Sequence, residues 1–213
     1  MFRKIKEKFS QKGGNVPFTD KMELSSSYLH LLGRPVWMNR DYQAFADKAY
    51  IKNVIAHRAI SMIAKSAASI PFKLFRNLSG SPSLVNKHPM LDLLTNPNPA
   101  TNGKKLLEAL YSYKLINGNA YLLAITSEYG YPQELIPLRP DRVMVVAGEN
   151  FLPAGYQYKL GNTSITYPID PLNGHCQLLH IKDFHPLSDW YGLSSIEAAA
   201  YSIDQHNQAG AWN

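Results

Sequence analysis

Six short runs decide the fold: AYLLAIT (120–126), ELIPL (134–138), RVMVV (142–146), YQYKL (156–160), SITYPI (164–169) and QLLHI (177–181). Each is rich in apolar, β-branched or aromatic residues with a period of two, the pattern of a strand that buries one face. The segments between them, YGY, RPD, AGEN, GN and DPLNG, are turn chemistry. There Gly tolerates positive φ, while Pro, Asn and Asp favour chain reversal. The runs read as a predominantly antiparallel sheet of about five or six strands.

Outward from these runs the period becomes helical. Over 50–70, Ile51, Val54, Ile55, Ile60, Met62 and Ile63 supply apolar ridges, Ala and Ser suit close packing, and Pro71 ends the helix. PFKLFRN (71–77) is a strand with Phe72 and Leu74 opposite Lys73 and Phe75, and LSGSPS (78–83) is a turn or exposed loop. HPMLDLLTN (88–96) is a short helix stopped by the prolines of NPNP (96–99). Thr101 is the expected N-cap of a helix over 101–117, and Gly118 its C-terminal stop. After 181 the chain loops through DFHPLSDWYG (183–192) into a last helix, whose start carries Ser194 and Glu197 at capping-box spacing. The fold class is α+β, a mostly antiparallel sheet with packed helices.

Residues 1–47 read as an N-terminal arm, partly extended, and 48–213 as the folded body. The arm opens with MFRKIKEKF, where Phe2, Ile5 and Phe9 make a short basic amphipathic helix broken by QKGGN. The longest run without Asp, Glu, Lys or Arg is the 13 residues Leu115–Ser127, short of the roughly 20 a bilayer span needs. The start has no apolar segment of the secretory kind. One cysteine, Cys176, excludes an internal disulfide framework. These features point to a soluble protein of a reducing compartment.

The net charge of +6 is unevenly spread. Residues 1–12 carry five bases and one acid, and residues 48–114 ten bases and two acids; residues 115–213 carry four bases and nine acids. A basic first half and an acidic second half suit either a nucleic-acid footprint or complementary faces in a head-to-tail assembly. The nucleic-acid reading draws on Lys4, Lys6, Lys8 and the 48–114 stretch. Lys104 and Lys105 stand in the first turn of a helix, where the dipole favours acids. They either meet an acidic surface or phosphate, or form a solvated face.

No nucleophile elbow, zinc-protease, P-loop or dinucleotide motif occurs. The densest titratable cluster is His175, Cys176, His180, Asp183, His185 and Asp189. A metal centred on His180, Asp183 and His185 is one reading; a strand-end histidine followed by a solvated loop is the other. Ser194 is accounted for as a cap and Cys176 as a small buried hydrophobe. No catalytic centre, cofactor or metal is expected.

The order of segments resembles the N-terminal half of the tailed-bacteriophage portal proteins of long-tailed phages and prophages. The segments are VIAHRAISMIAKSAASIPFKLF (54–75), HPMLDLLTNPNPATNGKKLLEAL (88–110), LINGNAYLLAI (115–125), GYPQELIPLRPDRVMVV (130–146), HIKDF (180–184) and YGLSSIEAAAYSI (191–203). The resemblance implies a structural, non-enzymatic head–tail connector whose wing domain is residues 48–213. It also implies a truncated form, with stem, clip and crown absent. Partners by resemblance are further copies of itself in a ring, dodecameric in that family, the terminase large subunit, the capsid protein, head–tail adaptors and double-stranded DNA. No membrane is implied. The expected location is the portal vertex of the virion, after the host cytoplasm. A basic nucleic-acid-binding module without catalytic activity is the alternative.

Overall fold

Each of the six runs forms a strand, but the strands divide between two sheets. The protein is seen here as a computed structural model that describes residues 41–78, 80–148 and 152–211. The amphipathic N-terminal helix, most of the arm, and Lys4, Lys6 and Lys8 lie outside the described residues. In chain order come α1 (Tyr42–Ala44), a π-helical segment (Phe45–Ile51), α2 (Val54–Ala68), β1 (Leu74–Leu78), β2 (Ser81–Val85), α3 (Pro89–Thr95) and α4 (Gly103–Asn117). Then follow β3 (Asn119–Thr126), β4 (Pro132–Leu138), a 3-10 turn (Pro140–Arg142), β5 (Val143–Ala147), β6 (Pro153–Leu160), β7 (Thr163–Pro168), β8 (Leu178–Lys182) and α5 (Ser195–Ala211).

The class is α+β. The strands are ordered β1–β2, β4–β3–β8 and β5–β6–β7, with every pair antiparallel. The expected single sheet of five or six strands is therefore corrected. Pro140, which has no N–H for a ladder bond, opens the 3-10 turn that carries the chain out of the first sheet. Only β8 returns to it, pairing with β3 from Asn119↔Lys182 to Leu123↔Leu178.

β3 is the centre of the packing because its residues alternate between two cores. Ala120, Leu122 and Ala124 face α3 and α4 through Leu94, Leu106 and Leu110. Tyr121 and Leu123 face the second sheet, meeting Val143, Tyr156 and Tyr158 with Leu138 and Leu178. A third cluster joins the helices: Phe45 and Ala49 pack with Ala56 and Ile60 of α2, Ile116 of α4, and Ile196, Ala200 and Ile203 of α5.

Three local expectations change. Residues 42–47, counted with the arm, are helical behind the Asp41 cap, and Phe45 is buried. The sequence 78–83 does turn, at Gly80 with φ +86°, but its second half begins β2. Pro82 hides that strand from a propensity reading and is tolerated because β2 lies at an edge. The N-cap of α4 is Asn102, whose side chain accepts from Lys105 N; Thr101 instead bonds back to Asn98.

Candidate subunit-contact surface

A buried polar junction fixes how the helices and the first sheet meet. Gly118 ends α4 in the left-handed region, at φ +78°, and its carbonyl accepts from Asp183 N at 2.9 Å. The loop before α5 presses against the same point. A Cβ on Gly118 would lie 2.3 Å from Gly192 O, and one on Gly192 would lie 2.1 Å from Gly118 O. Asn119, 3% exposed, spans the gap. Its Oδ1 accepts from Gly192 N at 2.7 Å and from His180 Nε2 at 3.0 Å, and its Nδ2 donates to Asn117 O and Oδ1 at 3.0 Å.

Ser194, 2% exposed, caps two helices at once. Its hydroxyl donates to Ile116 O at 2.6 Å, an orphan carbonyl at the end of α4, and accepts from Ile196 N and Glu197 N at the start of α5. The serine half of the expected capping box is thus observed. Asn53 does similar work at the other end of α5. It accepts from Ile55 N and Ala56 N as the cap of α2, and donates to Asn207 Oδ1 and His206 Nδ1.

The titratable cluster disperses. His180 stacks on Tyr121 with centroids 4.4 Å apart and meets the edge of Tyr156. Burial, with a smaller repulsion from Lys182, pushes its pKa down from 6.5 to about 4, so the ring is neutral at pH 7 and donates from Nε2. Asp183 pairs with Lys114, and the Lys182 ammonium donates to Asp189 O. His185 Nδ1 accepts from Leu187 N, and the His175 backbone N–H donates to Asn173 Oδ1. Cys176 is half-buried, with its thiol toward Tyr167 O. Among the described residues no three His, Cys, Asp or Glu side chains gather to hold a metal.

Lys104 and Lys105 are exposed on the first turn of α4, with no ion pair to a described residue. Lys104 borders a cleft of about 760 Å³ that also takes in Ile70, Phe72, Asn86 and Leu91. Beyond this cleft stands the β1–β2 hairpin with Lys73, Arg76 and Lys87 on or beside it. The surface is rich in basic and apolar groups, with Asp92 lining the cleft beside Lys104. The sequence singled out the two lysines as candidates and offered the hairpin's first strand and turn, but not its second strand or the bonding roles of Asn119 and Gly192. The closeness of Gly118 and Gly192 is a tertiary fact that spacing along the chain does not carry.

Residues 55–213 match the model of the phage portal protein family. The chain belongs to that family. Among curated relatives, an uncharacterized protein of Rickettsia bellii (strain RML369-C) is 38% identical over 165 residues, covering 78% of this chain and 42% of that protein. One from Rickettsia felis (strain ATCC VR-1525 / URRWXCal2) is 35% identical over 166 residues, with the same shares. The fold also matches a chain in the neck of an empty gene transfer agent (GTA) particle computed with C6 symmetry. The TM-score is 0.73 and the identity 39%, covering 84% of this chain and 47% of that one. A chain in the neck of the native GTA particle computed with C12 symmetry matches at TM-score 0.70 and 37% identity, with 84% and 46% covered. The portal-family chain described here spans less than half the length of these relatives.

Proposed function

We propose that this protein is a structural subunit of a portal ring, a non-enzymatic head–tail connector in a virion or virion-like particle. In this reading 48–213 is the outer wing of the subunit. The single observation that carries it is the match over 84% of the chain, at 39% identity, to a chain in the neck of a GTA particle. That particle's symmetric neck supports assembly with further copies of the same chain. The family supports a vertex location, passage of double-stranded DNA through the ring, and docking of the terminase large subunit, capsid protein and head–tail adaptors. The uneven charge fits a heterologous contact, in which a basic face of one copy meets an acidic face of the next.

Light scattering behind size exclusion, across protein concentration and at low and high salt, tests self-assembly. The expected result is a population of oligomers that grows with concentration and shrinks with salt. A monomer under all conditions removes self-association from this stretch of the portal. A second reading, a nucleic-acid-binding module, is favoured by the unpaired bases of α4 and the hairpin. It requires duplex binding whose log–log salt slope approaches one unit per neutralised phosphate. Absence of binding at ~50 mM salt ends it.

A further inference from the structure

The β1–β2 hairpin has the composition of a docking arm and, among the described residues, no element on which it packs extensively. Of the described side chains in its two strands, only Leu74 and Val85 are half-buried; the rest are exposed. Apart from its own pairing it makes no extensive contact with another element. Phe75 and Leu84, directly opposite in register, are 55% and 50% exposed on one face. A two-stranded hairpin in water is marginal by itself, and an exposed aromatic–aliphatic cross-strand pair is a cost until something covers it. Lys73 precedes β1 and Lys87 follows β2, while Arg76, next to Phe75 in β1, takes the opposite face. None of the three has an ion pair to a described residue.

The complementary surface lies on the same chain. The β3–β4 turn is closed by Ser127 N to Tyr131 O at 2.8 Å and projects Tyr129 and Tyr131, 86% and 74% exposed. Glu128 is exposed beside them, Glu134 follows on the edge strand β4, and Ile125 adds apolar surface. Neither carboxylate pairs with a described base. One projection is basic with a Phe–Leu pair, the other acidic with two tyrosines, and the two make no extensive contact within the chain. Lys over Tyr faces, and Phe75 against Tyr129 or Tyr131, would desolvate both sets of apolar groups.

We propose that the occupant of the hairpin is a second copy of this chain. The β1–β2 hairpin of one subunit clasps the β3–β4 turn of its neighbour, Lys73 and Lys87 at the hairpin's base facing Glu128 and Glu134 around a Phe75–tyrosine contact. The inference rests on the ring reading and adds the contact that builds it. Because hairpin and turn are different patches, the contact is head-to-tail and repeats around a closed ring.

The test uses the whole 213-residue chain in equal parts unlabelled and 15N-labelled, coupled with a zero-length carbodiimide reagent. Cross-links of mixed isotope between Lys73 or Lys87 and Glu128 or Glu134 are expected. Phe75→Asp with Leu84→Asp lowers the associated fraction about tenfold at fixed concentration, with an unchanged unfolding midpoint because both positions are exposed. Should that variant misfold, charge reversal replaces it. Lys73→Glu/Lys87→Glu and Glu128→Lys/Glu134→Lys each fail to associate alone and regain association when mixed. Oligomers that survive these variants, with mixed cross-links elsewhere, overturn the hairpin contact and leave the ring standing. A wild-type monomer at every concentration overturns both.

Discussion

Gly118 and Gly192 face each other so closely that neither has room for a methyl group. Gly118 also needs its positive φ to end α4, so Gly118→Ala meets both a backbone penalty and a clash with the Gly192 carbonyl. The expected loss is roughly 3 kcal/mol or more, read as a fall in denaturant midpoint. His180 makes the same junction sensitive to pH. Its folded pKa, about 4, lies below the unfolded value of 6.5, so the unfolded chain binds the extra proton first. That stability is fully present above pH 6.5 and is lost as pH falls toward 4, by at most about 2–3 kcal/mol after allowing for partial exposure. Urea midpoints at pH 7.5, 6 and 5 should fall stepwise, and His180→Gln should flatten the trend. Equal slopes in the two proteins would place the sensitivity elsewhere.

At the scale of elements, Ser194 sets how α4 hands over to α5, through the donor and acceptor faces of one hydroxyl. Ser194→Ala removes a helix cap and strands the buried Ile116 carbonyl, and should cost about 2 kcal/mol in thermal or urea unfolding. A loss of a few tenths would mean that α5 holds its place by apolar packing alone. Elements were legible in the sequence where one face is buried and the other is not. β3 advertises itself because Ala120, Leu122 and Ala124 alternate with Tyr121 and Leu123 between two different cores. β2 does not, since Ser81, Pro82 and Ser83 bury nothing. α1 and the π-helical turn were also hidden, because their packing rests on Phe45 and Ala49 rather than on an extended apolar stripe. The split into two sheets was illegible for a different reason: period two tells which way a residue points, not which strand lies beside it. Of the candidate surface, Lys104 and Lys105 stand out in the sequence through their clash with the helix dipole, and the hairpin is legible in its first strand and turn but not in β2.

Over the whole molecule, the uneven charge bears on the proposed association. Lys104→Glu with Lys105→Glu places acids in the first turn of α4, where the dipole favours them, so the unfolding midpoint should stay level or rise by a few tenths of a kcal/mol. Under the portal reading the same change weakens self-association, because Lys104 adjoins the cleft beneath the basic hairpin. Light scattering at equal concentration checks it, and an unchanged oligomer distribution would move the contact away from this end of α4.

The order of strands along the chain has a consequence for synthesis. β5, β6 and β7 are all made after β3 and before β8, the strand that covers the second edge of β3. While a ribosome is translating that interval, β3 is paired on the β4 side only, and its other edge is a bare template for any passing strand. Pairing of Leu178–Lys182 closes it. A nascent chain released just before residue 178 would therefore be the aggregation-prone one, and a chain released after residue 182 would carry a capped first sheet even with α5 still unmade.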